Sequence, residues 1–316
     1  MAELVQTRFA YGEALLELGR QRPEIAVLDA DLYKSTRTVL FKEEFPERFI
    51  DVGISEADMI SMAAGMAASG LIAYANSFAM FITTICYLPL RIQIAYPRLN
   101  VKLVGSSAGL TQGPDGASHQ SLEDITLMRV LPNVAVVSPA DDLETKQATF
   151  AIADWPGPVY MRLGRYPVPR VLPDDYQFEV GKAFTLREGG DVAIFATGHM
   201  VWKALEAAEL LNRQAHVEAA VIDVSTIKPI DAAAILAAAR SVPLLVSVEE
   251  HSVLGGLGGA IAEVLAGAAL DGKGAPAPLL RLGTRDVFGE SGVADELLEK
   301  HRLTGPAIAE DILGAL

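Results

Sequence analysis

The sequence has 316 residues, which is too long for one typical domain and long enough for two. Its 40 acidic and 26 basic side chains give a formal net charge of −14, which argues against nucleic acid or an anionic membrane as the main partner, because both require basic patches. The single cysteine, Cys86, excludes an intrachain disulfide. With no recognisable targeting segment and no apolar run of about 18 residues, the sequence predicts a cytoplasmic protein outside the membrane.

Apolar, strand-like runs alternate with amphipathic helical patterns along the first half of the chain. This alternation is typical of an α/β fold with largely parallel sheets. The predicted strands are residues 25–28, 49–52, 72–75, 101–104, 134–137 and 159–162. The predicted helices are residues 11–20, 57–68, 82–96 and 143–153.

The pattern is interrupted near residues 166–177, where several prolines exclude a regular helix or a central strand. It then resumes with predicted strands at 192–195, 219–224, 244–248 and 279–282 and predicted helices at 201–211, 232–239 and 258–265. The sequence therefore predicts two consecutive α/β domains, residues 1–168 and 186–316, joined by a linker over 169–185.

Glu56 follows a short apolar strand and opens an apolar helix, in the segment Gly53-Ile54-Ser55-Glu56. An acid at this place is often only a helix N-terminal residue favoured by the dipole. The alternative is a buried carboxylate whose burial raises its pKa, so that it donates or accepts a proton. The residues alone leave both interpretations open.

A second cluster is the glycine-rich loop of residues 109–120, which carries Asp115 and His119 after a predicted strand. Such loops allow close approach of a ligand, and histidine titrates near neutral pH. Phe78 and Phe81 end an earlier strand and lie three residues apart. They are either core residues or a flat wall for a planar heterocycle.

In this order, the clusters resemble the transketolase family over essentially the whole chain. Gly53-Ile54-Ser55-Glu56 is similar to the signature of the family's pyrimidine-binding domain, and Asp115-Gly116-Ala117-Ser118-His119-Gln120 resembles its Asp-Gly-Pro-Thr-His-Gln loop. The resemblance implies a thiamine diphosphate enzyme with a pyrimidine-binding domain followed by a transketolase C-terminal domain.

The resemblance also implies roles for individual residues. Glu56 would bind N1′ of the aminopyrimidine and so activate the thiazolium carbon, which makes it catalytic as well as cofactor-binding. Phe81, with Phe78 beside it, would stack on the pyrimidine. Asp115 and His119 would be catalytic residues that bind the oxygens of the sugar at its reacting end.

Further implied contacts lie outside these clusters. Asp31 and Leu32, in a segment that resembles the family's Asp-Leu-x-x-Ser, would contact the cofactor, and Ser35 would help to bind the substrate phosphate. Arg8 and Arg162 resemble the family's two phosphate-binding arginines. In two places the sequence departs from the family: Gly105-Ser106-Ser107 replaces a second substrate histidine, and Thr84 replaces an aromatic residue.

The family's diphosphate-binding domain carries Gly-Asp-Gly followed by Asn, which bind Mg²⁺ and the diphosphate, and nothing in this sequence matches that motif. No set of side chains has the spacing of a metal site of its own. The resemblance therefore implies the β subunit of a split transketolase. A separate N-terminal-type subunit would bind Mg²⁺, the assembly would be α2β2, and a two-carbon ketol unit would pass between sugar phosphates.

Three alternatives remain open at this point. The β subunit of a 2-oxo-acid dehydrogenase has the same two domains, but it needs no phosphate-binding residues such as Arg8. A deoxyxylulose-phosphate-synthase-like enzyme is the second, because residues 108–111 resemble that family. The third is a non-catalytic assembly subunit, against which the intact Glu56, Asp115 and His119 argue.

Overall fold

The computed structural model describes residues 4–270 and 277–316. The strands are β1 Leu4–Gln6, β2 Ile25–Asp29, β3 Phe49–Asp51, β4 Ile72–Phe78, β5 Val101–Ser106, β6 Ala135–Val137, β7 Val159–Arg162, β8 Pro167–Pro169, β9 Phe184–Arg187, β10 Val192–Ala196, β11 Ala219–Asp223, β12 Thr226–Lys228, β13 Leu245–Ser252 and β14 Leu279–Thr284.

The helices alternate with these strands. They are α1 Thr7–Gln21, α2 Tyr33–Thr36, α3 Val39–Glu44, α4 Glu56–Ala68, α5 Ala79–Thr84, α6 Tyr87–Pro89, α7 Asp124–Val130, α8 Asp142–Asp154, α9 Met200–Ala215, α10 Ala232–Ser241, α11 Leu257–Leu270, α12 Ala294–Lys300 and α13 Gly305–Leu313. Short 3₁₀ turns cover Pro46–Arg48 and Leu110–Asp115.

The first sheet has the strand order β12-β6-β7-β5-β4-β2-β3. Its strands from the first half of the chain are parallel. Every residue of β2 and β4 is buried, as expected for parallel strands that are covered on both faces. One apolar cluster, with Leu15 and Phe41, covers one side, and a second, with Met59 and Ile82, lies on the other.

The second sheet has the order β14-β13-β10-β11-β9, with β9 antiparallel and the remaining pairs parallel. The predicted fold class, two consecutive α/β domains with largely parallel sheets, is confirmed. The domain boundaries at 168 and 186 stay a prediction.

The two sheets are not independent in space. β12 belongs to the second half of the chain, but it pairs with β6 of the first sheet. The two strands are antiparallel, with Thr226 opposite Val137. The apolar cluster around Met59 also continues into the second half through Phe195 and Leu257. The second domain is thereby fixed against the edge of the first sheet.

The single helix predicted over residues 82–96 is wrong in detail. α5 is followed by the short α6 and by a π-helical turn over Leu90–Ala95. Pro89 has no N–H with which to continue an α-helix, and the hydroxyl of Thr83 bonds the carbonyl of Ala79 one turn earlier. Within the described residues, no helix combines the length and the apolarity needed to cross a bilayer.

Candidate functional site

Glu56 begins α4, just after the turn that leaves β3. Its side chain is buried, and Oε1 accepts a hydrogen bond of 3.0 Å from the hydroxyl of Ser77, near the end of β4. Among the described residues, none donates a hydrogen bond to Oε2, which leaves this oxygen able to accept a bond from a ligand.

Burial, with the nearby charge of Glu56, raises the pKa of the Cys86 thiol to about 12, so Cys86 stays protonated.

Three aromatic rings pack together directly after Ser77, the residue that bonds the Glu56 carboxylate. Phe78 and Phe81 are stacked, with ring centroids 6.0 Å apart and planes inclined by 27°. The imidazole of His119 meets both rings edge-on, with centroids 5.1 Å from Phe81 and 6.2 Å from Phe78. The structure therefore brings together the predicted aromatic wall and the predicted substrate histidine.

The glycine-rich loop presents Asp115 and His119 from a conformation that depends on glycine. Gly109 and Gly116 have φ of +83° and +73°, in the left-handed region that side-chain-bearing residues avoid. Oδ2 of Asp115 accepts hydrogen bonds from Gln112 at 2.6 Å and from Arg165 at 3.1 Å. Asp115 is thus oriented by two donors and remains 41% exposed, accessible to a ligand.

The segment that follows β2 is organised by a buried carboxylate. Asp29 accepts bonds from the backbone N–H of Leu32 and the hydroxyl of Thr36. Burial raises the pKa of Asp29 to about 6, although these bonds act in the opposite direction. Asp31 has φ of +60°, and its N–H donates to Asp51. The fold thereby fixes the backbone of Asp31 and Leu32, and sequence analysis had not identified Asp29.

Arg8, in the first turn of α1, lies among other cations. Its Nη1 donates to the carbonyl of Ser35 at 3.1 Å, and its Nε donates to Gln6 at 2.7 Å. Partial burial and the charges of Arg165 and Arg37 lower the pKa of Arg8 to about 10. Arg8 and Ser35 are therefore adjacent, as predicted, and two further arginines join them.

Arg37 completes this arginine cluster, which we define as Arg8, Arg37 and Arg165. The guanidinium carbons of Arg37 and Arg8 lie 4.4 and 5.5 Å from the centroid of the Phe9 ring. The Nε of Arg37 is buried and has no hydrogen-bond partner within the described chain. An anion would stabilise this cluster, because like charges lie near one another and one buried N–H has no hydrogen-bond partner.

Arg162 is not part of this cluster. It is 7% exposed, and its Nε bonds the buried carboxylate of Asp124 at 2.8 Å. Its Nη2 donates to the carbonyl of Glu250 at 2.9 Å. These contacts argue against the prediction that Arg162 binds the substrate phosphate, because its guanidinium already neutralises a carboxylate in the protein interior. Arg165, three residues later, is near enough for its charge to lower the pKa of Arg8.

The residues described here fit the aminopyrimidine part of thiamine diphosphate. Glu56 offers a buried acceptor, and Phe78 and Phe81, which follow its partner Ser77 in the chain, offer an apolar surface. No group of three or more His, Cys, Asp or Glu side chains in residues 4–270 and 277–316 has a geometry that could hold a metal ion. Glu56, Phe78, Asp115 and the arginine cluster all follow, or lie next to, the carboxyl ends of parallel strands, where α/β proteins bind ligands.

This geometry defines an α/β protein that carries an exposed aspartate, a pair of stacked phenylalanines and a cluster of arginines near the carboxyl ends of its parallel strands. The family model described as the transketolase pyrimidine-binding domain matches residues 3–170, and that of the transketolase C-terminal domain matches residues 181–308. The chain belongs to the transketolase family.

Three relatives are similar over nearly their whole length. A putative transketolase C-terminal section from Methanocaldococcus jannaschii is 46% identical, over 97% of this chain and 95% of that protein. A 6-deoxy-6-sulfo-D-fructose transketolase subunit from Clostridium sp. is 43% identical, over 95% and 91%. A solved split-gene transketolase, described as an inactive β4 tetramer, has 46% identity and a TM-score of 0.90, over 99% and 98%.

Proposed function

We propose that this chain is the C-terminal, or β, subunit of a split transketolase that transfers a two-carbon ketol unit between sugar phosphates. The observation that carries the proposal is the contact of His119 with the Phe78–Phe81 pair, which directly follows Ser77, the hydrogen-bond partner of the buried Glu56. Family membership supports a thiamine-dependent transferase, and the similarity to proteins named as transketolase sections and subunits supports the split arrangement.

Thiamine diphosphate, when bound, supplies a nucleophilic carbon that attacks the carbonyl of a ketose. Glu56 would accept a hydrogen bond from the protonated pyrimidine nitrogen and hold a proton there, while Ser77 keeps the carboxylate in position. Phe81 and Phe78 would cover the pyrimidine and exclude water from it. His119 is held against these rings and would donate a hydrogen bond to a substrate oxygen.

The arginine cluster and Ser35 would bind the anionic end of the substrate. In this proposal Arg165 takes the role that sequence analysis gave to Arg162, and Arg37 adds a third cation. Asp115 accepts a bond from Arg165 and would bind a sugar hydroxyl, so it would connect the anion site to the reacting end. The sulfo-sugar in the name of the Clostridium relative is also an anionic ketose derivative, which supports an anion site of this kind.

The diphosphate and Mg²⁺ would be bound by an N-terminal-type partner subunit. The absence of a Gly-Asp-Gly…Asn motif in the sequence supports this, as does the inactivity of the β4 tetramer of the solved relative. We propose an α2β2 assembly. Apolar side chains exposed around the interrupted helix, Ile85, Leu88, Ile92 and Tyr96, offer a surface for self-association.

The 2-oxo-acid dehydrogenase alternative is disfavoured by the arginine cluster, because a 2-oxo acid carries no distal phosphate. A donor screen with the chain co-expressed with its partner subunit separates the two. Ketol transfer from a ketose phosphate to an aldose phosphate, dependent on thiamine diphosphate and Mg²⁺, is the expected result. Oxidation of 2-oxo acids without ketol transfer would overturn the proposal.

A further inference from the structure

The glycine-rich loop is held from the C-terminal domain at two points. At its beginning, the N–H of Thr111 donates to Oε1 of Glu250, at the end of β13, over 2.5 Å. At its end, Nε2 of Gln120 donates to the carbonyl of Glu290 over 2.8 Å. The two contacts bracket the segment that carries Asp115 and His119.

The fit around Glu250 is tight. A methyl group on Gly109 would lie 2.0 Å from Oε2 of Glu250, and one on Gly116 would lie 2.5 Å from the hydroxyl of Ser291. Both glycines also have positive φ. The loop can therefore approach the C-terminal domain this closely only with glycine at these two positions, and the carboxylate of Glu250 lies directly against its backbone.

Glu250 is an ionisable residue in an almost fully buried position, where such side chains are rare. It is 2% exposed, and burial raises its pKa to about 7, although the charge of Arg162 lowers it. The other titratable groups that face it are Asp124, Tyr166 and His199, whose Nδ1 lies 3.5 Å from Oε2. Burial and the nearby cations lower the pKa of His199 to about 3, so His199 is neutral near pH 7.

We infer that Glu250 is a positioning residue, through which the C-terminal domain holds the glycine-rich loop so that His119 faces Phe81. An ionised carboxylate forms a stronger bond to the Thr111 N–H than a neutral acid does, because the bond is charge-assisted. The ionised form thus fixes the loop, and protonation weakens this anchor. The inference rests on the proposed function only for its activity readout.

If Glu250 affected only the stability of the whole fold, its replacement would change the free energy of unfolding without lowering the order of the loop. A buried carboxylate with a raised pKa favours the folded state fully below its unfolded pKa, near 4.5, and that contribution is lost as the pH rises through about 7. A neutral isostere should therefore make the protein more stable at pH 8. If Glu250 serves the loop, the same substitution should make the loop less ordered at pH 8. At pH 8, the substitution should therefore raise the stability of the whole protein and lower the order of the loop.

The test uses the full chain and hydrogen–deuterium exchange of the amides of residues 109–120 between pH 5.5 and 8.5, corrected for intrinsic exchange. In the wild type, loop protection should fall about three- to tenfold as the pH drops through 7. Glu250→Gln, which keeps an acceptor but no charge, should show the low protection at every pH together with a raised melting temperature at pH 8. Glu250→Asp, which keeps the charge but shortens the reach, should lose protection at pH 8.

Glu249→Gln is the matched control. Glu249 is the neighbouring buried acid, but its carboxylate bonds the N–H groups of Leu257 and Gly258 at the start of α11. Its substitution should leave the loop amides as in the wild type. Equal loop protection in Glu250→Gln and the wild type at pH 8, or the same loss in Glu249→Gln, would overturn the inference.

Activity of the assembled complex gives a second readout. Glu250→Asp should lower kcat/KM for ketose donors about tenfold, with thiamine diphosphate affinity unchanged. An equal loss of cofactor affinity would overturn the positioning role. If the exchange results hold but no ketol transfer occurs in the wild type, the loop anchor stands and the proposed function fails.

Discussion

The imidazole of His119 lies edge-on to the ring of Phe81, with ring centroids 5.1 Å apart and planes inclined by 71°. Phe81 belongs to the helix after β4, and His119 belongs to the loop after β5, so the carboxyl ends of two neighbouring strands bring them together. One residue would contact the cofactor and the other the substrate. Their contact joins the two parts of the candidate site into one surface.

Phe81→Leu should weaken binding of thiamine diphosphate to the assembled enzyme about three- to tenfold, because a stacked ring contributes beyond its apolar area. Titration calorimetry of the complex measures this directly. Phe150→Leu, on α8 and part of the core on the other side of the sheet, is the control. An unchanged dissociation constant for Phe81→Leu would contradict the role of this ring.

Glu56→Gln should leave the fold intact and lower activity about a hundredfold or more, because a neutral amide stabilises a proton on the pyrimidine nitrogen far less than a carboxylate does. The informative measurement is hydrogen–deuterium exchange at thiazolium C2 in the assembled complex, which should slow by a similar factor. Asp58→Asn, an exposed acid in the same helical turn, is the matched control. Near-wild-type exchange at C2 in Glu56→Gln would remove the catalytic assignment.

Arg165→Gln should raise the KM for phosphorylated donors about ten- to a hundredfold, because it would remove the charge-assisted contact that we propose between this guanidinium and the phosphate. Arg37→Gln should act in the same direction and, since Arg37 does not bond Asp115, should leave hydroxypyruvate unaffected. Arg213→Gln, an exposed arginine on α9, is the control. Should both cluster variants weaken phosphorylated and unphosphorylated donors equally, the cluster does not bind the phosphate.

Arg162→Leu should instead destabilise the protein, by about 3–5 kcal/mol, because it leaves the carboxylate of Asp124 buried and uncompensated. Chemical denaturation of the isolated chain measures the free energy of unfolding. Replacing both residues, as in Arg162→Leu with Asp124→Leu, should recover much of the loss. A change below about 1 kcal/mol in the single variant would mean that the pair is no more important than a surface ion pair.

Much of this architecture is predictable from local patterns. The parallel strands of both sheets are predictable because fully buried strands are continuous apolar runs bounded by polar turns. The two antiparallel strands of these sheets, β9 and β12, are not among the predicted strands. β12 has only three residues, which pair with the sheet edge of the other domain and carry no periodicity of their own. The interruption after α5 was missed because the apolar spacing is helical on both sides of Pro89.

Site residues can be predicted from the sequence where they belong to a recognisable motif. The prediction is unreliable where only the packing of the folded chain distinguishes one residue from another. Arg162 and Arg165 are both arginines close to the end of β7, so a motif comparison does not separate them. The structure does, because Arg162 is the last residue of the strand and points into a buried ion pair, whereas Arg165 lies beyond it. Glu250 was not predicted either, since its contact with Thr111 joins residues from different domains.

In the proposed enzyme this chain would supply the pyrimidine-binding half of a thiamine diphosphate site, and its partner subunit would supply the other half. The decisive measurement is calorimetric titration of thiamine diphosphate with Mg²⁺ into the purified chain and into the chain assembled with its partner subunit. We predict no saturable, Mg²⁺-dependent binding to the chain alone and binding on the order of micromolar in the complex, which corresponds to about 8 kcal/mol. Mg²⁺-dependent binding of that strength to the isolated chain, or none to the complex, would mean that the cofactor site is not divided between the two chains.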